Sequence, residues 1–130
     1  MTQQPIEIIL MRRWAAALTI PVFLASSEGD MLYFNGPAAT LLGKPYEDTG
    51  ALPLGELAEL FEVRDVDDEP MQAHQIPLGI ALMRRKPAHG RIRFRGFDGS
   101  WHLIDVTAVP LEGHGDTFIG AVAFFWEVAE

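Results

Sequence analysis

Apolar positions along this chain change period several times, and each period predicts an element. Ile6, Leu10, Trp14 and Ala17 or Leu18 recur at i, i+4, with Ile9 beside them, which predicts an amphipathic helix over residues 5–18. Thr19 to Pro21 ends it. Pro21-Val22-Phe23-Leu24-Ala25 reads as a short strand, Ser27-Glu28-Gly29-Asp30 as a turn and Met31-Leu32-Tyr33-Phe34 as the returning strand of a hairpin. Asn35-Gly36-Pro37 then opens a helix. Asn35 is a good N-cap, proline near the first helical position loses no hydrogen bond, and Gly43 suits the stop. A second short helix covers Leu54 to Phe61. Val63 to Gln75, with Asp65, Asp67, Asp68 and Glu69, reads as a loop. Pro77 to Lys86 reads as a helix apolar on nearly all sides. Its basic end, Arg84-Arg85-Lys86, complements the helix dipole, and Pro87 stops it.

The last third is strand. Arg91, Arg93 and Arg95 alternate with Ile92 and Phe94 between Gly90 and Phe97, and Asp98-Gly99 is a hairpin signal. Trp101 to Val109 and Phe118 to Val128 are the next two strands, joined by a turn over Pro110 to Thr117. The order is helix, two strands, short helices, then a three-strand meander, which is α+β with an antiparallel sheet. Both faces of the last two strands are apolar, whereas a sheet with one wet face alternates cleanly. Something therefore covers both sides: short helices on one, the N-terminal helix of this chain or of a partner on the other. An uncovered patch of Trp101, Leu103, Val109, Ala121 and Phe125 is large for a monomer, which points to a homodimer.

Composition narrows the chemistry. The 130 residues suit one domain, and 48% apolar with 22% charged residues is a globular composition. With no cysteine there is no disulfide, thiolate nucleophile or Cys-ligated metal. A formal charge of −8 argues against a nucleic-acid surface and against anionic membrane. Arg12-Arg13, an apolar run and Ser26-Ser27 imitate a signal peptide, but Ile6, Ile8, Ile9 and Leu10 precede the arginines and Pro21 breaks the run. The reading is a cytoplasmic protein.

Pro21-Val22-Phe23-Leu24 through Glu28-Gly29 to Tyr33-Phe34-Asn35, the helix Pro37 to Gly43, Phe97-Asp98-Gly99-Ser100-Trp101, Asp105 to Leu111 and Phe118 to Val122 together resemble a PAS sensor domain, over about residues 12–130. The resemblance implies a five-stranded antiparallel sheet with short helices on one face and an N-terminal helix on the other. It divides the chain into a dimerising helix, 1–20, and a PAS domain, 21–130. It implies a sensory module of signal transduction or transcription regulation, not an enzyme, with a small ligand in an apolar cavity. The alternative is a ligand-free interaction module, and a third reading is a small cavity enzyme. Ile92, Phe94, His102, Ile104, Val106, Gly120 and Val122 would face the cavity, with Ile80 and Met83 from the Pro77–Lys86 helix, while Arg91, Arg93, Arg95, Trp101, Leu103 and Phe125 lie outside. A non-covalent organic ligand or flavin fits this frame. Covalent flavin and cysteine-linked chromophores do not, and haem is disfavoured because the Pro77–Lys86 helix has no histidine and His74 and His89 only flank it. An output domain or partner protein would read the signal.

Individual residues add little chemistry. His102 is the one inward acid–base candidate, read as a hydrogen-bonded histidine at a strand end before a ligand contact, and without a partner carboxylate because Asp105 points to the other face. Trp101 and Trp126 read as core or interface before flavin stacking, and the arginine stripe reads as a wet strand face before a phosphate grip. His114 and Asp116 are too few for a metal site, and no elbow, phosphate loop or zinc motif is present. The chain closes on Glu127-Val128-Ala129-Glu130 where many PAS domains have Asp-hydrophobic-Thr. This shifts the expected signal route from the C-terminus to dimer rearrangement at the first helix.

Overall fold

In the computed structural model, which describes residues 6–129, helix α1 (Ile6–Ala16) leads into a hairpin of β1 (Val22–Ser26) and β2 (Asp30–Phe34). Residues 1–5 of the N-terminal segment, and Glu130, lie outside the described residues. Helix α2 (Gly36–Leu42) starts where Asn35 Oδ1 accepts the Ala38 amide at 3.1 Å, and stops where Gly43 takes φ 94°. Then come α3 (Tyr46–Thr49), β3 (Leu52–Pro53), α4 (Leu54–Leu60), α5 (Pro77–Arg84) and the meander β4 (Ala88–Arg95), β5 (Trp101–Glu112) and β6 (Phe118–Glu127). The antiparallel sheet runs β3-β2-β1-β6-β5-β4. It has six strands where five were expected. The sixth, β3, pairs only Pro53 with Asp30 and Leu52 with Met31, too short for alternation to signal. Helix α5 ends before Lys86 because Arg85 turns left-handed at φ 54°, donating its N–H to the Ala81 carbonyl. The acidic loop is also tied down: Arg64 exchanges backbone hydrogen bonds of 2.8 and 2.9 Å with Arg93 on the β4 edge.

The inner face of the sheet packs Phe34, Ile92, Phe94, Ile104, Val106 and Phe125 against Leu42, Leu57, Phe61 and Leu78 of the helical layer. The outer face holds Val22, Leu24 and Val122 under Ile8 and Ala15 of α1, with Met11, Leu18 and Phe124 at the margin. Two sequence expectations are corrected here. First, Ile8, Met11 and Ala15 face the sheet, whereas Ile6, Ile9, Leu10 and Trp14 are exposed. The helix is apolar on both sides, and small Ala15 allows the closer approach. Second, β6 has the opposite facing: Ala121, Ala123 and Phe125 point inward, and Val122 packs under α1. Leu111 pairs with Gly120 and Glu112 with Phe118, so Ile119 is an extra residue, and such a bulge inverts the alternation counted from Phe118. No helix among the described residues is long and apolar enough to cross a membrane.

Candidate functional site

A cavity of about 50 Å³ lies between the inner sheet face and the helical layer. Ile92 and Phe94 of β4 and Ile104 and Val106 of β5 line it, as cross-strand neighbours on one face. Phe23 of β1, Ala123 and Phe125 of β6, and Ala58 and Phe61 beside α4 complete much of the wall. Every lining residue is apolar. The sequence pattern does not mark Phe23, Ala58, Phe61 or Phe125 as cavity residues. Phe23 alternates inward with Ala25 along β1, which was the available signal; Phe125 was assigned outward by the inverted β6 facing.

The remaining candidates lie elsewhere. Val122 is under α1, Met83 is 70% exposed, and half-buried Ile80 is not among the lining residues. His102 sits beyond the cavity, its ring stacked on Phe94 at 5.1 Å. Its Nδ1 lies 2.6 Å from Glu127 Oε2, and Nε2 is buried without a hydrogen-bond partner. The expected lack of a carboxylate partner is therefore corrected. The β5–β6 register sets Glu127 opposite Ile104, two residues from His102 on the same face, a proximity with no local signature across 25 residues of separation.

Among the described residues no hydroxyl is hydrogen-bonded to this pair, and no group of three or more His, Cys, Asp or Glu side chains could hold a metal ion. His89 contacts the Thr107 hydroxyl at 3.0 Å and His74 is exposed beside α5. On the outer face the arginine stripe is met by acids. Arg91 donates to both Asp105 oxygens at 2.8 and 3.2 Å, and Arg95 reaches Glu62 at 3.2 Å. The Arg91 hydrogen bond holds the Asp105 carboxyl below the usual carboxylate range, and the Ser100 amide does the same for Asp98. Arg64 lies over the Trp101 ring at 5.6 Å.

The profile of the PAS fold matches residues 10–128. No curated protein matches the chain. Among solved structures, the PAS domain of a Colwellia psychrerythraea protein is 18% identical with TM-score 0.65, covering 92% of this chain and 97% of that one. The PAS domain of Bordetella pertussis BvgS is 13% identical with TM-score 0.64, covering 95% and 87%. A Rhodobacter sphaeroides LOV protein is 10% identical with TM-score 0.73, covering 97% and 70%.

Proposed function

The chain belongs to the PAS family, and from that premise we propose a sensory and regulatory module of signal transduction or transcription regulation, working as a cytoplasmic homodimer and holding no more than a small apolar molecule in its interior. The observation that carries this reading is the cavity lining. A flavin or organic acid carries carbonyls, ring nitrogens or carboxylates that need partners when buried, and no polar side chain lines the cavity. About 50 Å³ is also far below the ~300–1,000 Å³ of drug-sized ligand sites. The residues therefore do not fit a flavin, and with no histidine on the cavity wall they do not fit a haem.

A second reading, a ligand-free interaction module, draws support from α1. Ile6 is 67% and Leu10 59% exposed, with Ile9 beside them, an apolar stripe turned away from its own sheet, and Trp14 is half-exposed at its margin. Trp14 meets Phe124 edge-on at 5.9 Å, and exposed Trp126 lies two residues along the same face of β6. A second copy would cover this surface, and an output domain or partner would read the arrangement. Both readings share the homodimer and differ in the cavity. Light scattering on the full chain should give a dimer that Leu10→Glu converts to a folded monomer. A colourless protein whose unfolding temperature rises with a methane- or ethane-sized hydrocarbon supports the apolar-ligand reading, and no rise supports the ligand-free one. A visible absorption band, or a monomeric parent protein, overturns the proposal.

A further inference from the structure

Outside the cavity and the α1 stripe, a groove of about 420 Å³ opens between the β1–β2 turn, the start of α4 and the end of α5. Its base is fixed by backbone contact. A Cβ added at Gly79 would fall 1.7 Å from the Ala73 carbonyl oxygen, so α5 and the turn before it touch through glycine. Above Gly29 and Gly55, in contrast, a Cβ would meet nothing within 4 Å. Leu54, Leu82 and Met83 form the apolar wall, and Met83 at 70% is the most exposed large hydrophobic side chain among the described residues. Glu28 and Asp30 form the rim on the hairpin side and His74 lies on the α5 side, and among the described residues neither carboxylate forms an ion pair.

We propose that this groove docks a basic, apolar segment of a partner protein, an aliphatic side chain seated against Met83 and Leu82 and a neighbouring lysine or arginine held by Glu28 and Asp30. Methionine is unbranched and polarisable, so an exposed one adapts to an incoming side chain more readily than a β-branched residue would. The two carboxylates supply charge complementarity, and the net charge of −8 draws a cationic segment in while repelling an acidic segment or an anionic membrane. Of the arginines near the β4–β5 hairpin, Arg91, Arg95 and Arg64 already meet Asp105, Glu62 and Asp68. The site is separate from α1 and shares only Leu54 with the cavity lining, so its test can be read apart from dimerisation and from any interior ligand.

The test uses the full chain with methyl-labelled methionine and a synthetic hexapeptide alternating leucine and arginine. The Met83 methyl and the 27–30 amides should shift saturably while the methyl of buried Met31 stays put. Met83→Ser, and separately Glu28→Gln with Asp30→Asn, should each weaken binding about fivefold or more. Met83→Leu should retain it, and the counterpart with glutamate for arginine should not bind. No saturable shift, shifts confined to α1, equal binding of the acidic peptide, or affinity unchanged in the folded variants each overturns the proposal. Equally tight binding of arginine amide alone overturns it as well, in favour of a small-molecule amine site.

Discussion

Asn35 donates a side-chain N–H to the Ala15 carbonyl at 2.9 Å, joining the first turn of α2 to the end of α1 across the sheet. Its second N–H goes to Ile20 at 2.8 Å, while Oδ1 accepts the amides of Val22 and Ala38. Both donors and both lone pairs are used on a residue only 1% exposed.

Asn35→Ala should therefore lower the unfolding free energy by about 3 kcal/mol, because a cap is lost and buried backbone groups are left unpaired. Asn35→Asp keeps both acceptor bonds but turns a carboxylate oxygen toward two carbonyls, so it should loosen α1 selectively. Denaturant unfolding measures the first and amide exchange across residues 8–16 the second. An alanine cost under about 1 kcal/mol would contradict the assignment.

Gly120 and Gly115 both have positive φ, 148° and 70°, yet replacement should affect them very differently. A Cβ on Gly120 would lie 2.0 Å from the Ala25 carbonyl oxygen inside the β1–β6 pairing, whereas one on Gly115 meets open space. Gly120→Ala should unfold the chain or cost more than about 3 kcal/mol, through strain plus overpacking. Gly115→Ala should cost about 1 kcal/mol, the left-handed penalty alone. Equal melting temperatures for the two variants would refute the bulge geometry at Ile119–Gly120.

These contacts also mark where the sequence was legible. Helix α2 could be read residue by residue, since Asn35 and Gly43 announce caps that local chemistry enforces. The β4–β5 hairpin was legible because Arg91, Arg93 and Arg95 alternate with Ile92 and Phe94 around Asp98-Gly99. The facing of β6 was not. Val122 and Phe125 are equally apolar, and the bulge at Ile119 is set by pairing with Leu111 and Glu112 far along the chain. Helix α1 failed similarly: the large Ile6, Leu10 and Trp14 suggested the buried face, but Ala15 and Ile8 took it. In the cavity, Ile92 and Ile104 followed from alternation, while Glu127 beside His102 depends wholly on tertiary register.

Acid should weaken the protein through Asp105. Its carboxyl is held below the usual range, chiefly by the Arg91 hydrogen bond, so the folded form takes up a proton less readily than the unfolded chain, where aspartate titrates near about 3.9. Such a group contributes stability above about pH 4 and loses it as pH falls through the lowered folded value. Asp98, held low by the Ser100 amide, acts in the same direction. Asp105→Asn should be less stable than the parent at neutral pH, and the gap should narrow as the pH is taken well below about 4. A gap independent of pH in urea titrations would show that the Arg91 pair contributes nothing through ionisation.

The cavity makes a prediction with two signs. Val106 lines it, and Val106→Ile adds one methylene pointed at unfilled space. Burying that group without displacing a neighbour should raise the unfolding free energy by up to about 0.8 kcal/mol. Ile104→Val on the same wall should do the reverse, lowering it by roughly 0.5–1.5 kcal/mol while enlarging the space. The two variants should also separate the readings of function. If an apolar molecule occupies the interior, Val106→Ile should abolish the rise in melting temperature caused by a small hydrocarbon, and Ile104→Val should enlarge it. If Val106→Ile instead destabilises by about 1 kcal/mol or more, the interior is already full, as overpacking costs of that size indicate. The domain then acts through its surfaces alone.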